Sequence, residues 1–498
     1  MSRIIAISMD EMERRVAMIV NNKLEFFAIE RESEKRIVGN IYKGRVVNVH
    51  KSIQAAFVDV GLGRNGFLHV SDVVDASSGV ESIIEEDFYE DEEEEILGQK
   101  RNIEDMVKEK QEILVQVIKE PIRTKGVRLS SNITFPGRYL VFMPNYKRRG
   151  ISRKIEDRQE RRRLKEIVDS LKVPEGMGLI VRTAGEGKPK KFFARDYRYL
   201  MAQWKQLQKK ARKAPPLCCI HTELDLVIQT VRDSFTEEVD KLVIDSKDEF
   251  KRVRKFINSV MPNFRSKLEI SPTEEPIFAY FGIENEIRKI FNRKIWLRGG
   301  GYIIIERTEA LVAVDVNSGR QVSGKDMEEM VLSTNLEASE EIARQLKLKN
   351  LGGIIIIDYI DMKSRKNRLK VMQRLKSALR DDKAKNNILP ISDIGILEMT
   401  RQRIRESTHS EIFEACTYCN GIGKVKSTNT ISIEILREVN NLIDKKRVKT
   451  LKLIANPEIA GKIEEGFPLV IKKIRRRIRN FQLEQDSGLH VTDYKIIE

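Results

Sequence analysis

The sequence predicts a multidomain protein of mixed α/β (α+β) class, because different regions of the chain show different patterns. Short β-like segments punctuated by glycine fill most of 38–129, which is typical of a small barrel. Apolar strands alternate with long helical segments through 292–413, which is typical of an α/β sheet. A chain of 498 residues also exceeds the size of one hydrophobic core, so several domains are expected.

Local patterns place the individual elements. Residues 15–20 and 24–29 alternate around Asn21-Asn22, which predicts a β-hairpin near the amino terminus. The α/β region has predicted strands at 302–306, 311–316 and 354–358, and predicted helices near 326–348 and 366–383.

Charge is unevenly distributed. Lys and Arg total 91 against 75 acidic residues, a formal net charge of +16. This excess suits a polyanionic partner, because bound cations release the counterions condensed on phosphates. An ordinary basic surface is the alternative. In the tract 81–95, ten of fifteen residues are acidic, which predicts a solvated loop lying away from the path of any polyanionic ligand.

Composition also excludes some classes of protein. No apolar stretch approaches the roughly 20 residues that a transmembrane helix needs. The amino terminus lacks the apolar core of a secretory signal. Four cysteines in so long a chain do not make a disulfide framework, which favours a reducing compartment. We therefore expect a cytoplasmic protein.

Two apolar strands each end in an aspartate, Asp315 and Asp358. Residues at the carboxyl ends of strands converge on the ligand crevice of an α/β sheet. Two carboxylates there can hold a hard cation such as Mg²⁺ through oxygen ligands. Asn317 lies two residues after Asp315 and therefore on the same face. The alternative is that one aspartate caps a helix and the other pairs with an arginine.

Aromatic residues on the predicted barrel are candidates for RNA binding. Phe57 and Phe67 lie among cations, where exposed rings could stack unpaired bases. A core position is the alternative for an isolated phenylalanine. Strand alternation argues against it for Phe57, since Val58 and Val60 would then point inward.

A possible zinc site occurs at Cys416-x-x-Cys419, which is followed by Asn420-Gly421-Ile422-Gly423. Two cysteines are half of a tetrahedral zinc site. Either the chain binds no zinc, or two chains each contribute one cysteine pair to a shared ion. The spacing alone leaves both possibilities open.

Several separated blocks closely resemble the ribonuclease E/ribonuclease G family, over about residues 1–425. The most specific are 313–320 (AVDVNSGR), 334–338 (TNLEA), 351–353 (LGG), 358–362 (DYIDM) and 397–403 (LEMTRQR). The resemblance implies an RNase H-like domain that is split in sequence and carries inserted domains. The implied organisation is a first RNase H-like segment at 1–37, an OB-fold RNA-binding barrel at 38–129, a 5′-sensor at 130–214, a second RNase H-like segment at 215–290, a DNase I-like catalytic domain at 291–413, a zinc-link at 414–424 and a small C-terminal domain at 425–498.

The resemblance also implies roles for individual residues. Asp315 and Asp358 match the family's Mg²⁺ ligands, and Asn317 matches the residue that assists at the scissile phosphate. The positions that match the family's RNA-gripping and 5′-monophosphate-binding residues are Phe57, Phe67 and Lys125 on the barrel, and Gly137, Val141, Arg182 and Thr183 in the sensor. A further sensor arginine of the family falls at Lys385, which keeps the charge but loses bidentate geometry. Cys416 and Cys419 match cysteines that share one structural Zn²⁺ between two chains.

By this resemblance, the chain is expected to be an endoribonuclease that hydrolyses single-stranded, A/U-rich RNA with Mg²⁺-activated water. It is expected to prefer 5′-monophosphorylated ends and to act as a homodimer in rRNA processing and mRNA decay. Its length is nearer the ribonuclease G branch, without a scaffold tail for a degradosome. The rival hypotheses are a non-catalytic RNA-binding protein and a deoxyribonuclease.

Overall fold

The structure is a computed structural model that describes 2–31, 36–73, 102–121, 126–147, 149–319, 327–382, 384–403, 412–414, 416–446 and 448–498. The acidic tract 81–95 and Lys125 lie outside the described residues. The chain divides into two compact units, Met1–Glu411 and Ile412–Glu498. Among the described residues, no helix has both the length and the apolar character needed to cross a membrane.

The strands of the described residues, in chain order, are β1 (Arg3–Met9), β2 (Glu13–Val20), β3 (Lys23–Arg31), β4 (Ile41–His50), β5 (Ala55–Asp59), β6 (Gly66–His69), β7 (Glu112–Lys119), β8 (Arg128–Ser130), β9 (Phe135–Pro136), β10 (Leu140–Met143), β11 (Arg149–Ile151), β12 (Gly178–Val181), β13 (Cys218–His221), β14 (Lys241–Ile244), β15 (Leu268–Ile270), β16 (Lys294–Trp296), β17 (Tyr302–Arg307), β18 (Leu311–Asn317), β19 (Gly353–Asp358), β20 (Asn386–Ile388), β21 (Ile396–Arg401), β22 (Thr450–Ala455), β23 (Asn480–Gln485) and β24 (Tyr494–Ile497).

The α-helices of the described residues are α1 (Ile103–Met106), α2 (Arg158–Ser170), α3 (Lys190–Lys213), α4 (Leu226–Ser234), α5 (Lys247–Val260), α6 (Ile277–Tyr280), α7 (Glu284–Ile290), α8 (Met327–Leu348), α9 (Arg365–Ala378), α10 (Thr428–Lys446), α11 (Pro457–Gly466) and α12 (Pro468–Arg477).

The amino-terminal hairpin belongs to a sheet of five strands in the order β15-β14-β1-β2-β3. The predicted hairpin is confirmed, with Asn21 and Asn22 both at positive φ in its turn. The edge of the sheet beyond β1 comes from a distant region of the chain, because β14 pairs with β1 in parallel. The intervening residues form other domains, so this sheet is built from two separate segments.

Strands β4 to β8 form a closed barrel in the order β4-β5-β6-β8-β7, and pairing of β4 with β7 closes it. The predicted small barrel is therefore confirmed. Val58 and Val60 are buried in its core as predicted, while Phe57, directly before Val58, is only partly buried. A four-stranded sheet in the order β11-β12-β10-β9 follows, and it packs with α2 and α3 around one apolar core.

The α/β region forms a mixed sheet in the order β16-β17-β18-β19-β21-β20, hereafter the catalytic sheet. The predicted strands at 302–306, 311–316 and 354–358 are confirmed, as is the long helix, α8. Helix α9 ends at Ala378, earlier than the predicted 383. It ends early because the Asp382 carboxylate binds Arg401 of β21 and the backbone N–H of Ala384, which draws the chain out of the helical path.

Among the described residues, helices cover one face of the catalytic sheet. Apolar side chains of this face pack with α8 and α9 into one core, which includes Val314, Ile355, Ile357, Ala338 and Leu375. In the other unit, a three-stranded sheet in the order β23-β22-β24 packs with α10, α11 and α12.

Candidate active site

The two strand-terminal aspartates lie side by side on the catalytic sheet. Strands β18 and β19 are parallel neighbours, and their register places Asp315 directly opposite Asp358. Residues that face each other in register project on the same side of a sheet. Both aspartates are exposed, whereas the preceding Val314 and Ile357 are buried against the helices. The sequence prediction that these two carboxylates converge is therefore confirmed by the geometry.

Asn317 and Asp361 complete the polar cluster. The Nδ2 of Asn317 donates a hydrogen bond to Oδ2 of Asp315 over 2.8 Å. Partial burial raises the pKa of Asp358, and the negative charges of Asp315 and Asp361 raise it further. The repulsion shows that the site has a negative potential, which a bound cation would relieve.

Contacts with Asn335 of α8 and with Gly395 fix the backbone that follows Asp358. Asn335 of α8 is fully buried and donates to the Ile360 carbonyl over 2.8 Å, while its Oδ1 accepts the Ile360 N–H over 3.2 Å. Gly395 has a φ of +81°, and a Cβ at this position would lie 3.0 Å from the carbonyl oxygen of Tyr359. The two contacts fix the course of the chain between Asp358 and Asp361.

The donor set of this site fits a hard divalent cation, because carboxylate oxygens are the ligands that Mg²⁺ prefers. Among the described residues, no group of three or more His, Cys, Asp or Glu side chains could hold a metal ion. Mg²⁺ commonly keeps several waters and binds through one or two carboxylates together with substrate phosphates. A pair of exposed aspartates is therefore compatible with such an ion.

Four rings form a continuous row on the surface of the barrel. Phe57 of β5 lies opposite Phe67 of β6, and their ring centroids are 5.9 Å apart. His50 packs edge to face on Phe57 at 5.4 Å, and His69 stacks on Phe67 at 6.3 Å. Both phenylalanines are only partly buried, so the alternative that they are core residues is not supported.

Arg182 and Gly137 are in direct contact beside the four-stranded sheet. Nη1 of Arg182 donates to the Gly137 carbonyl over 2.6 Å and to Oδ1 of Asp233 over 2.7 Å. Thr183 is exposed immediately after Arg182, and Val141 lies on β10, which pairs with β12. Four of the predicted sensor residues therefore lie on two neighbouring strands and the turns at their ends.

A buried carboxylate supports this turn. Asp196 of α3 accepts the backbone N–H groups of Tyr139 and Leu140 over 2.8 and 2.9 Å. A Cβ on Gly137 would lie 2.5 Å from the Asp196 carboxylate, so only glycine fits there. Burial raises the pKa of Asp196, although the backbone N–H donors oppose the rise. Lys385 lies in a different region of the fold, exposed just before β20.

The paired cysteines lie in a tight turn of the carboxyl-terminal unit. The N–H of Ile422 donates to the Cys419 carbonyl over 2.9 Å, and the N–H of Gly423 donates to Cys419 Sγ over 3.1 Å. Hydrogen bonds from the backbone N–H groups of Cys419 and Tyr418 lower the pKa of the Cys416 thiol. These donors favour the thiolate, which is the form that binds zinc.

Sequence reasoning gave no role to two residues that the structure brings to the aspartate pair. Asp361 is close enough to raise the pKa of Asp358, and Asn335 fixes the backbone between them. Both lie in blocks 358–362 and 334–338, which carry the family resemblance. Their positions in these blocks marked both residues as candidates. An aspartate or an asparagine in a sequence does not, however, show which group it contacts.

Comparisons with known proteins agree with this architecture. The model of the ribonuclease E/G family matches 134–404, an S1 RNA-binding domain model matches 35–131, and an RNase E/G thioredoxin-like domain model matches 415–496. Ribonuclease G of Escherichia coli K12 is 40% identical over 427 residues, which cover 86% of this chain and 85% of that protein. Ribonuclease G of Haemophilus influenzae is equally similar over the same shares.

Ribonuclease E of Escherichia coli K12 is 37% identical over 467 residues, but these are 93% of this chain and only 42% of that larger protein. The similarity to the ribonuclease G proteins thus extends along most of both chains. Together with the barrel, the catalytic sheet and the aspartate pair, these matches show that the chain belongs to the ribonuclease E/G family.

Proposed function

We propose that this protein is a Mg²⁺-dependent endoribonuclease that hydrolyses single-stranded RNA. The observation that carries the proposal is the register of β18 and β19, which places two exposed carboxylates side by side on the sheet face opposite the helices. The relatives that are similar along most of their length are named as ribonucleases. The barrel matches an RNA-binding domain.

The residues of the proposed active site would have different roles in hydrolysis. Asp315 and Asp358 would hold Mg²⁺, which when bound neutralises phosphate charge and lowers the pKa of a coordinated water. Asn317 orients the Asp315 carboxylate through one amide hydrogen, and its second amide hydrogen can donate to a phosphate oxygen. Attack on the phosphodiester would leave 5′-phosphate and 3′-hydroxyl ends.

The barrel would hold the strand on the active site. Phe57 and Phe67 offer ring faces and edges to unpaired bases, and Lys125 would contact the RNA backbone. Stacking of this kind tolerates any base. A preference for A/U-rich RNA would therefore come from the ease with which such segments stay single-stranded.

The Arg182 cluster would bind a 5′-monophosphate. A guanidinium presents a planar fork of donors to phosphate, and the adjacent Thr183 adds a hydroxyl. The bond from Arg182 to Asp233 fixes the guanidinium and leaves its other edge for the phosphate. Lys385 lies outside this cluster and offers a point charge in place of a bidentate contact, so the preference for 5′-monophosphorylated ends would be modest.

The domain types, the zinc-link and the biological role are proposed from the family resemblance. The split five-stranded sheet would be RNase H-like, the catalytic sheet DNase I-like, and the turn with Cys416 and Cys419 a zinc-link that joins two chains. A cytoplasmic homodimer acting in rRNA processing and mRNA decay is the corresponding biological proposal.

Cleavage of a short 5′-monophosphorylated A/U-rich RNA tests the proposed function. With Mg²⁺ present, we expect rapid cutting by the wild type and a loss of several orders of magnitude in kcat for Asp358→Asn, with RNA binding kept. The substitution removes one anionic ligand while keeping the size of the side chain. Asp393→Asn changes an exposed aspartate of the same unit and should leave kcat unchanged.

The rival hypotheses predict different results. Wild-type protein that binds this RNA but never cuts it would be a non-catalytic RNA-binding protein. Equal cutting of DNA with the same sequence would make it a general phosphodiesterase, since the fold alone does not determine the substrate.

A further inference from the structure

An exposed aromatic cluster lies on the edge of the catalytic sheet, and the proposed chemistry does not use it. Trp296 of β16 is 64% exposed. Its ring packs edge to face on Tyr302 of β17, with centroids 5.3 Å apart. The Nζ of Lys294 lies 4.0 Å from the Trp296 centroid and 3.6 Å from the Tyr302 centroid. Two rings and a cation therefore form one surface, the Trp296 platform.

The register of the sheet places this platform on the same face as the aspartate pair. One row across the sheet runs from Lys294 through Ile304 to Asp315 and Asp358. The next row on the same face runs from Trp296 through Tyr302 to Asn317. Residues opposite each other in register share a face, so the platform and the carboxylates face the same solvent.

The platform is also close to the site. Strands lie about 4.8 Å apart and two residues along a strand rise about 6.7 Å, which puts the Trp296 Cα roughly 12 Å from the Asp315 Cα. The side chain of Trp296 can extend across part of the space between these two Cα atoms. A nucleotide that flanks the cut phosphodiester would therefore reach the indole.

The composition of the platform indicates its ligand. Tryptophan is rarely left this exposed, because it loses much favourable apolar burial in water. Aromatic rings interleaved with cations are how proteins bind single-stranded nucleic acid, with the rings stacking bases and the cations meeting phosphates. Tyr302 and Lys294 support the indole from one side and leave the exposed area of its ring for a base.

We propose that Trp296 stacks a base of the RNA next to the cleaved bond, and that Tyr302 and Lys294 hold its ring in place. This proposal rests on the proposed ribonuclease function, for which it supplies a binding subsite on the catalytic sheet. The stacked nucleotide is anchored on the same rigid sheet as the carboxylates. Its phosphodiester is thereby positioned over Asp315 and Asp358.

A set of RNA substrates tests the proposal, each with one abasic nucleotide at a different position on either side of the cut. For the wild type, we expect KM to rise at one position close to the cut. For Trp296→Ala, KM on intact RNA should rise roughly 5- to 100-fold, the effect of losing one stacked base. The abasic change at the same position should have no further effect on this variant.

Two further variants separate stacking from other roles of the side chain. Trp296→Phe keeps an aromatic face and should restore most of the wild-type KM, whereas Trp296→Leu keeps apolar area without the ring and should not. Tyr280→Ala is the matched control, because Tyr280 is an aromatic residue of α6 that is 49% exposed outside the catalytic sheet. The KM of Tyr280→Ala on intact RNA and on each abasic substrate should equal that of the wild type.

Failure of the subsite and failure of the ribonuclease function give different results. If the wild type cuts RNA but Trp296→Ala matches Tyr280→Ala at every abasic position, the platform does not bind RNA. If Trp296→Ala alters only the sedimentation of the protein and not KM, the platform is a protein contact and the proposal is wrong. If the wild type does not cut RNA at all, the proposed function fails first.

Discussion

Among the single residues that stabilise the catalytic sheet, Arg401 and Asp382 form a deeply buried ion pair. Arg401 of β21 and Asp382 have 3% and 4% of their side chains exposed, and they form two hydrogen bonds of 2.7 and 3.0 Å. Nη1 of Arg401 also donates to the Leu351 carbonyl over 2.6 Å. Each charge is therefore compensated, as a buried charge must be.

Replacing Asp382 by Ala should strongly destabilise the unit Met1–Glu411. The guanidinium of Arg401 would remain buried without a counter-charge, at a cost of about 3–5 kcal/mol. Urea unfolding measures the change. Asp393→Ala is the control, because Asp393 pairs with Arg368 at 3.1 Å from an almost fully exposed position, and removing it should leave the urea midpoint unchanged.

The same pair gives a pH dependence with a definite sign. Burial alone would raise the pKa of Asp382, but the hydrogen bonds and charge of Arg401 outweigh it and lower the pKa. The pair therefore contributes stability above the ordinary aspartate pKa, and that stability is lost as pH falls through the lowered pKa. Below that range, Asp382→Ala and wild type should differ less in urea midpoint than at neutral pH.

Among the larger elements, helix α8 positions the catalytic loop as well as covering the sheet. Its buried Asn335 holds both backbone groups of Ile360, midway between Tyr359 and Asp361. Ser339, one turn further along α8, bonds the Tyr359 hydroxyl over 2.8 Å. Hydrogen bonds to α8 thus hold the loop after β19, which has no regular secondary structure of its own.

Asn335→Ala should lower kcat without changing the KM for RNA. The substitution leaves the N–H and the carbonyl of Ile360 unpaired, at about 1–3 kcal/mol for each buried group, and the loop should shift to regain partners. Steady-state cleavage kinetics measure both constants. A rise in KM with an unchanged kcat would contradict this assignment.

A control on the same helix separates positioning from general loss of helix stability. Glu340→Ala removes an exposed side chain that pairs with Arg374 at 3.3 Å, so both kinetic constants should stay at the wild-type values.

For the molecule as a whole, the proposed zinc-link would determine assembly. Cys416 and Cys419 supply two ligands, and a tetrahedral zinc needs four. If two chains share one ion, Cys416→Ser with Cys419→Ser should abolish zinc binding and turn the dimer into a monomer. Metal analysis and sedimentation measure the two effects.

The chain offers a matched control for this experiment. Cys218 and Cys219 lie on β13 of the other unit, and the double change to serine there should leave zinc content and assembly unchanged. Zinc retained after loss of Cys416 and Cys419 would rule out the shared site.

Much of the site could be predicted from the sequence because its signals are local. A strand of apolar residues that ends in aspartate indicates both the strand and its functional end, which was enough to find Asp315 and Asp358. The partners of Arg182 could not be predicted in this way. Asp233 lies 51 residues further along the chain, on α4, and meets Arg182 only in the folded protein.

Local sequence patterns were enough to predict the mixed α/β class, the hairpin at Asn21-Asn22, the barrel and the strands of the catalytic sheet. These features depend on periodicity and turn chemistry, which act over a few residues. That Asp315 faces Asp358 and that Trp296 shares their face became known only from the folded sheet. Strand register depends on which strands become neighbours in the fold and on which sheet face packs against the helices, and the pattern along a single strand does not identify its neighbour.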